Sequence, residues 1–120
     1  MKRNVVIGLL ACAATFWMTS GHAAVAALNG AKVIRVLIAD EGRFGGCMAR
    51  LDRNISTVGL NCPGSWVSFS CTGDFTSKDV AYKMLETAQM AMALDRWVGV
   101  YVDDSRLHNG WCYANRIDMW

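Results

Sequence analysis

TSKDVAYKMLETAQMAMALDRWVGVYVD, residues 76–103, holds two periodicities back to back, and their junction decides the fold. Thr76 and Ser77 offer a hydroxyl cap and Asp79 an acid, where the first backbone N–H groups of a helix lack partners. Val80, Met84, Leu85, Ala88, Ala91 and Met92 then recur mostly at three- and four-residue steps, with Lys78, Tyr82, Glu86 and Gln89 on the wet side. That spacing predicts one long helix ending near Leu94 and Asp95, with Asp79 and Lys83 placed for an i to i+4 pair. At Trp97 the period drops to two, and Val98, Val100 and Val102 share the inward face of a strand reaching Asp103.

Strands flank this unit on both sides. Upstream, residues 31–39 put Ile34, Val36 and Ile38 on one face, and the glycine-rich turn at 40–46 leads into a second strand over 47–52. Residues 53–65 are polar and turn-rich around Asn54, Asn61, Pro63 and Gly64, which predicts a long loop with a short strand at Thr57 to Leu60. A third strand follows over 66–71, with Val67, Phe69 and Cys71 on one face. Downstream, a loop at 104–110 precedes a last strand, Trp111 to Trp120. The expected fold is mainly β with one α-helix, in the order β-β-β-α-β-β. That is the layout of a five-stranded OB-like barrel with the helix plugging one end.

The N-terminus reads as an export signal: Lys2 and Arg3, an apolar run from Val5 to Met18, then small-residue cleavage sites at Gly21-His22-Ala23 and Ala24-Val25-Ala26. Leu9-Leu10-Ala11-Cys12 looks like a lipoprotein signal, but the apolar core before Cys12 is short. With 1–23 as signal peptide, removing 23 of 120 residues leaves 97, a single OB-like domain over 24–120 in the periplasm or secreted. Cys47, Cys62, Cys71 and Cys112 remain, an even count that reads as two disulfides in a small exported domain. Four cysteines allow three connectivities. Pairing Cys47 with Cys71 sets Ala49 opposite Phe69 and Leu51 opposite Val67, so inward residues meet inward residues. The competing arrangement joins Cys47 to Cys112 and Cys62 to Cys71.

Losing Lys2 and Arg3 leaves ten basic against ten acidic side chains. A neutral domain without a basic run lacks the electrostatic footprint for nucleic acid or anionic lipid. No later apolar stretch is long enough to span a bilayer, so no membrane span is expected after cleavage.

Three segments carry a resemblance: Cys62-Pro63-Gly64-Ser65-Trp66-Val67, Thr87-Ala88-Gln89-Met90-Ala91-Met92-Ala93, and Val102-Asp103-Asp104-Ser105 followed by His108-Asn109-Gly110-Trp111-Cys112. Over residues 32–120 the chain resembles a broad group of small uncharacterised exported bacterial proteins. These carry a cysteine before the third strand, an alanine-rich helix and a cysteine after the fourth strand. In layout it is also distantly similar to the B subunits of bacterial A-B toxins, the subtilase-cytotoxin type in particular, which bind cell-surface glycans as pentamers. The group pattern implies that Cys62 pairs with Cys112, leaving Cys47 with Cys71. No sugar-contacting motif matches residue by residue, so no binding site is carried over.

Catalytic signals are sparse. His108 is the single histidine after the signal, and Asp103 and Asp104 point to opposite faces of a strand, matching no metal loop. Gly-x-Ser-x-Gly and Cys-x-x-Cys are absent, and no cofactor is implied. The aromatics say more. Trp66, Trp97 and Tyr101 fall on the face opposite the inferred core, suited to stacking on a sugar ring or to a subunit contact. Met84, Met90 and Met92 read as helix packing. The expected function is a non-catalytic module that binds a glycan or protein through Trp97, Tyr101, Ser105, His108, Asn109 and Trp111. Two alternatives stand beside it: a periplasmic assembly protein whose aromatics form a homo-oligomer contact, and an enzyme using Asp103, Asp104 and His108.

Overall fold

The computed structural model describes residues 24–40 and 42–120, so the expected export signal lies outside the described residues. Six strands and one helix form in the order β1 (Val25–Ala31), β2 (Val33–Ile38), β3 (Cys47–Leu51), β4 (Trp66–Ser68), α1 (Lys78–Ala93), β5 (Val98–His108) and β6 (Trp111–Met119). They make one open sheet with strand order β1-β5-β6-β4-β3-β2. Neighbours are antiparallel except β4 and β6, which run parallel where Ser68 meets Tyr113.

This is mainly β with one helix, as expected, but it is an open six-stranded sheet where a closed five-stranded barrel was expected. The extra strand is β1. Its sequence, VAALNGA, lacks alternation, and its register on β5 shifts between Leu28 and Ala31, where Gly30 takes a φ of 67°. Lys32 alone separates β1 from β2. Its amide donates to the Asp52 carboxylate at 2.9 Å and its carbonyl accepts from the Asp52 amide at 3.0 Å, which pins the corner.

Other boundaries moved for local reasons. On β2 the register shifts between Val33 and Arg35, so Val33 is buried while Ile34 and Ile38 are exposed. β4 stops at Ser68 because Ser70 has a φ of 61°, outside the extended region. Hence Ala49 faces Val67 and Arg50 faces Trp66, a register two residues from the expected one with the same faces inward. Thr57 sits in a 3-10 turn, Ile55–Val58, in place of the short strand. β5 runs on to His108 through the expected loop, because Asn109 (φ 52°) and Gly110 (φ 85°) make a tight two-residue hairpin turn.

Both disulfides form: Cys47–Cys71 with Cα atoms 5.6 Å apart, and Cys62–Cys112 at 5.8 Å. The core between sheet and helix holds Leu28, Leu51, Val67, Phe69, Val98, Val100 and Val102, all at most 1% exposed. α1 adds Ala81, Met84, Leu85, Ala88 and Ala91 and packs mainly on β2, β6 and β3. Small side chains let it approach closely. The Ser77 hydroxyl caps it by accepting from the Val80 amide at 3.2 Å, and Lys83 pairs with Asp79 at 2.9 Å. Val80, Met90 and Met92 were expected to pack inward, yet they are 45%, 50% and 39% exposed. The buried stripe of α1 is narrower than the sequence period indicated.

Candidate functional site

The outer face of β2, β3 and β4 carries an aromatic-lined cleft. Because side chains alternate along a strand, Leu37 and Met48, paired across β2 and β3, point away from the core together with Trp66 of β4. Phe44, from the 3-10 turn Phe44–Gly46, and Trp111, from the start of β6, complete the walls of an open apolar cavity of about 160 Å³. Met48 is 2% exposed although it lies on the outer face, so the surrounding rings shield its floor.

Hydrogen bonds hold these walls. The Phe44 amide donates to the Asn109 side-chain oxygen at 2.7 Å, and the Ser68 hydroxyl donates to the Phe44 carbonyl at 2.8 Å. The β2–β3 loop is thereby tied to the β5–β6 turn and to β4. Phe44, Ser70 and Asn109 have positive φ, three of the four non-glycine residues of that kind among those described. Asn109 is at ease in its Asn-Gly turn, whereas Phe44 and Ser70 are backbone held against local preference, a feature found at functional sites. Gly64 lies under Trp111, where an added Cβ would sit 3.5 Å from the ring, so the loop carrying Cys62 backs that wall.

Behind the cleft, Ser70 Oγ lies 3.0 Å from His108 Nε2, and His108 Nδ1 lies 3.9 Å from Asp74 Oδ2. Serine, histidine and aspartate in this sequence of contacts resemble a nucleophile, its base and an orienting acid. Ser70 is fully buried, however, and its hydroxyl already accepts the Phe75 amide at 3.1 Å. A nucleophile must reach substrate, and this one lies inside the protein. The pair instead fixes the turn after β4 to the end of β5, with the Phe75 ring 4.5 Å from the imidazole. Gly45 closes the other side: a Cβ there would meet Ser68 Oγ at 2.4 Å and His108 Cδ2 at 2.6 Å. Burial lowers the His108 pKa below its usual 6.5, and the Asp74 charge offsets only part of that.

The residues singled out in the sequence divide between two ends of the β5–β6 hairpin. His108, Asn109 and Trp111 lie at the turn, beside the cleft. Trp97 precedes β5 and faces the other end, where the Trp120 amide donates to its carbonyl at 3.1 Å. Lys32 Nζ sits 4.2 Å over the Trp97 ring, the Arg116 guanidinium 4.6 Å over Tyr101 and the Arg35 guanidinium, more loosely, 5.7 Å over Trp66, so one face of each ring already has a cation on it. Ser105 donates to Asp103 from both its amide and its hydroxyl, at 2.9 and 2.5 Å. Asp104 accepts from the Ala24 amide at 3.0 Å and the Asn61 amide at 3.2 Å. Asp103 and Asp104 thus cap backbone and do not converge on His108. Among the described residues no group of three or more His, Cys, Asp or Glu side chains is placed to hold a metal ion.

Leu37, Phe44 and Met48 escaped the sequence reading of the site. Phe44 carried a usable signal, a large apolar residue in a glycine-rich turn. No helix among the described residues is long and apolar enough to cross a membrane. Comparison with protein-family models, with curated proteins and with solved structures finds no match to this chain.

Proposed function

We propose that this chain is an exported, non-catalytic binding module that takes a glycan in the cleft of Leu37, Phe44, Met48, Trp66 and Trp111. The observation that carries the reading is three aromatic rings converging on one open cavity whose walls are cross-tied by side-chain to backbone hydrogen bonds. Indole and phenyl faces stack on the apolar face of a sugar ring, and a pre-formed wall lowers the ordering cost of binding. At about 160 Å³ the cavity suits one ring-sized group, being about half the smallest pockets that enclose drug-sized ligands.

The OB-like layout expected from the sequence is kept here as part of the proposal, and one feature of the open sheet favours it. β1 and β2 stand at the two ends of the sheet order yet are separated by one residue, so one bent strand brackets the sheet. In OB-folds the middle strands and their adjoining loops are the ligand-binding face, and a cleft on the outer face of β2, β3 and β4 is in keeping with that. The resemblance in layout to toxin B subunits belongs to this proposal. So does export to the periplasm or beyond, which the signal-like Met1 to Ala23 and the two disulfides favour.

A glycan array probed with the purified domain, followed by tryptophan-fluorescence titration, tests the reading. Trp66→Ala and Trp111→Ala should each weaken binding at least tenfold, while Trp97→Ala should leave it unchanged. Binding lost in Trp97→Ala and kept in Trp111→Ala would move the site to the other end of the sheet. A second reading, an assembly protein that self-associates, draws on exposed Leu94, Trp97 and Trp120 near the end of α1 and the last residue. Sedimentation velocity decides it: a dimer or pentamer dispersed by Trp97→Ala would favour assembly.

A further inference from the structure

The row of side chains next to the cleft is basic. One step along the strands from the Leu37–Met48 pair, Arg35 of β2 lies directly opposite Arg50 of β3, and Arg50 lies opposite Trp66 of β4. All three side chains share the outer face with Leu37 and Met48, because each is two residues or one strand away. Like charges directly opposite in a sheet are destabilising. Nothing among the described residues neutralises them: the ion pairs found there use Lys32, Lys83, Arg106, His108 and Arg116. Arg35 rests over the Trp66 ring at 5.7 Å, and Arg50 Nε makes one long contact to Ser65 Oγ, at 3.4 Å. Both are exposed, so most of their N–H groups face solvent beside the cleft.

Two guanidinium forks beside an aromatic wall fit a ligand with two features at fixed separation, a ring face and an anionic group. Arginine's planar donors match a carboxylate in a bidentate manner, and such charge-assisted bonds are the stronger kind. The domain carries balanced charge overall, so this pair is a local feature with no long basic track for a nucleic-acid backbone. We propose that the cleft selects an acidic sugar, its ring stacked on Trp66 and its carboxylate held by Arg35 and Arg50. The proposal rests on the cleft being the glycan site and adds the class of glycan.

The test compares methyl β-D-glucuronide with methyl β-D-glucoside, two ligands that differ by a carboxylate against a hydroxymethyl group. Binding is followed by proton NMR and tryptophan fluorescence of the full oxidised domain. The glucuronide should bind about tenfold more tightly or better. Arg35→Gln and Arg50→Gln should each cut that preference, and the double variant should bind the two glycosides equally. Both side chains are exposed, so circular dichroism should show each variant folded. Equal affinity for the two glycosides in the unmodified protein would overturn the acidic-sugar inference and leave the cleft reading standing. Failure of the glucuronide to bind at all also overturns it, and the cleft reading is then judged on the array and Trp66→Ala. Sulfate ion displacing the glucuronide only in the presence of both arginines supports the anion pocket. A short oligothymidylate that binds more tightly than the glucuronide and depends on the same arginines would assign them to phosphate and overturn the proposal.

Discussion

His108 shows how one side chain can set a pH limit for the whole domain. Its ring is nearly enclosed, with a side-chain exposure of 11%, between Ser70, Phe75 and Gly45. Burial disfavours the imidazolium and lowers the folded-state pKa from 6.5, while Asp74, 63% exposed, pulls the other way more weakly. Between the lowered folded value and 6.5 the unfolded chain binds more protons than the folded one, so stability rises with pH across that window. The contribution is complete above 6.5 and fades as pH falls below it. Urea midpoints taken from about pH 7.5 down to about pH 5 should therefore decline more steeply for the unmodified protein than for His108→Gln. Parallel declines would show that carboxylate protonation alone drives acid sensitivity. Because His108 is next to the Asn109–Gly110 turn, which positions Phe44, ligand affinity should fall over the same window.

At the scale of elements, the end of α1 sets a backbone preference against an ion pair. Arg96 N–H bonds to the Ala91 carbonyl at 2.9 Å and Asp95 N–H to that of Met92 at 3.4 Å, closing the helix with Asp95 at a φ of 51°. Glycine takes this left-handed position at no steric penalty, whereas an L-residue costs about 1–2 kcal/mol, less for aspartate than for most. Against that, the Asp95 carboxylate pairs with Lys32 at 3.1 Å, but it is 92% exposed, and such pairs contribute about 0–1 kcal/mol. Lys32 also donates to the Asp95 carbonyl, a bond that glycine keeps. The backbone term wins, so Asp95→Gly should raise stability by about 0.5–1 kcal/mol, with the larger gain at high salt. A lowered urea midpoint would show that the Lys32 pair outweighs the strain.

The same scale separates what the chain displays locally from what it does not. α1 was legible to within a residue or two at either end because Ser77 and the 3.6-residue period both mark it. β1 was not, since its alanines and Gly30 carry no alternation and only pairing with β5 makes it a strand. The β5–β6 turn was overlooked although Asn109-Gly110 is a strong hairpin signal, because the polar run before it resembles a loop. The cleft is harder still. Its walls come from positions 37, 44, 48, 66 and 111, which only strand pairing and the hydrogen bonds that hold Phe44 make neighbours.

For the molecule as a whole, the disulfides join the loop segments to the sheet, and they do so unequally. Closing a loop removes entropy from the unfolded chain, more so for longer loops. Separations of 24 and 50 residues correspond to about 3.5 and about 4 kcal/mol in the chain-entropy view. Small domains have only about 5–15 kcal/mol of net stability, so loss of both links should unfold this one. Single-pair variants should differ in kind more than in degree. Cys47→Ala with Cys71→Ala frees the start of β3 from the turn after β4, where Ser70 and His108 still hold on. Cys62→Ala with Cys112→Ala frees the loop whose Gly64 backs Trp111, and Cys112 is the next residue in β6. The second variant should therefore lose ligand affinity even at temperatures where circular dichroism reports a folded sheet, while the first should keep it until it melts. Equal affinity losses in the two folded variants would mean that the Cys62 loop has no special hold on the cleft.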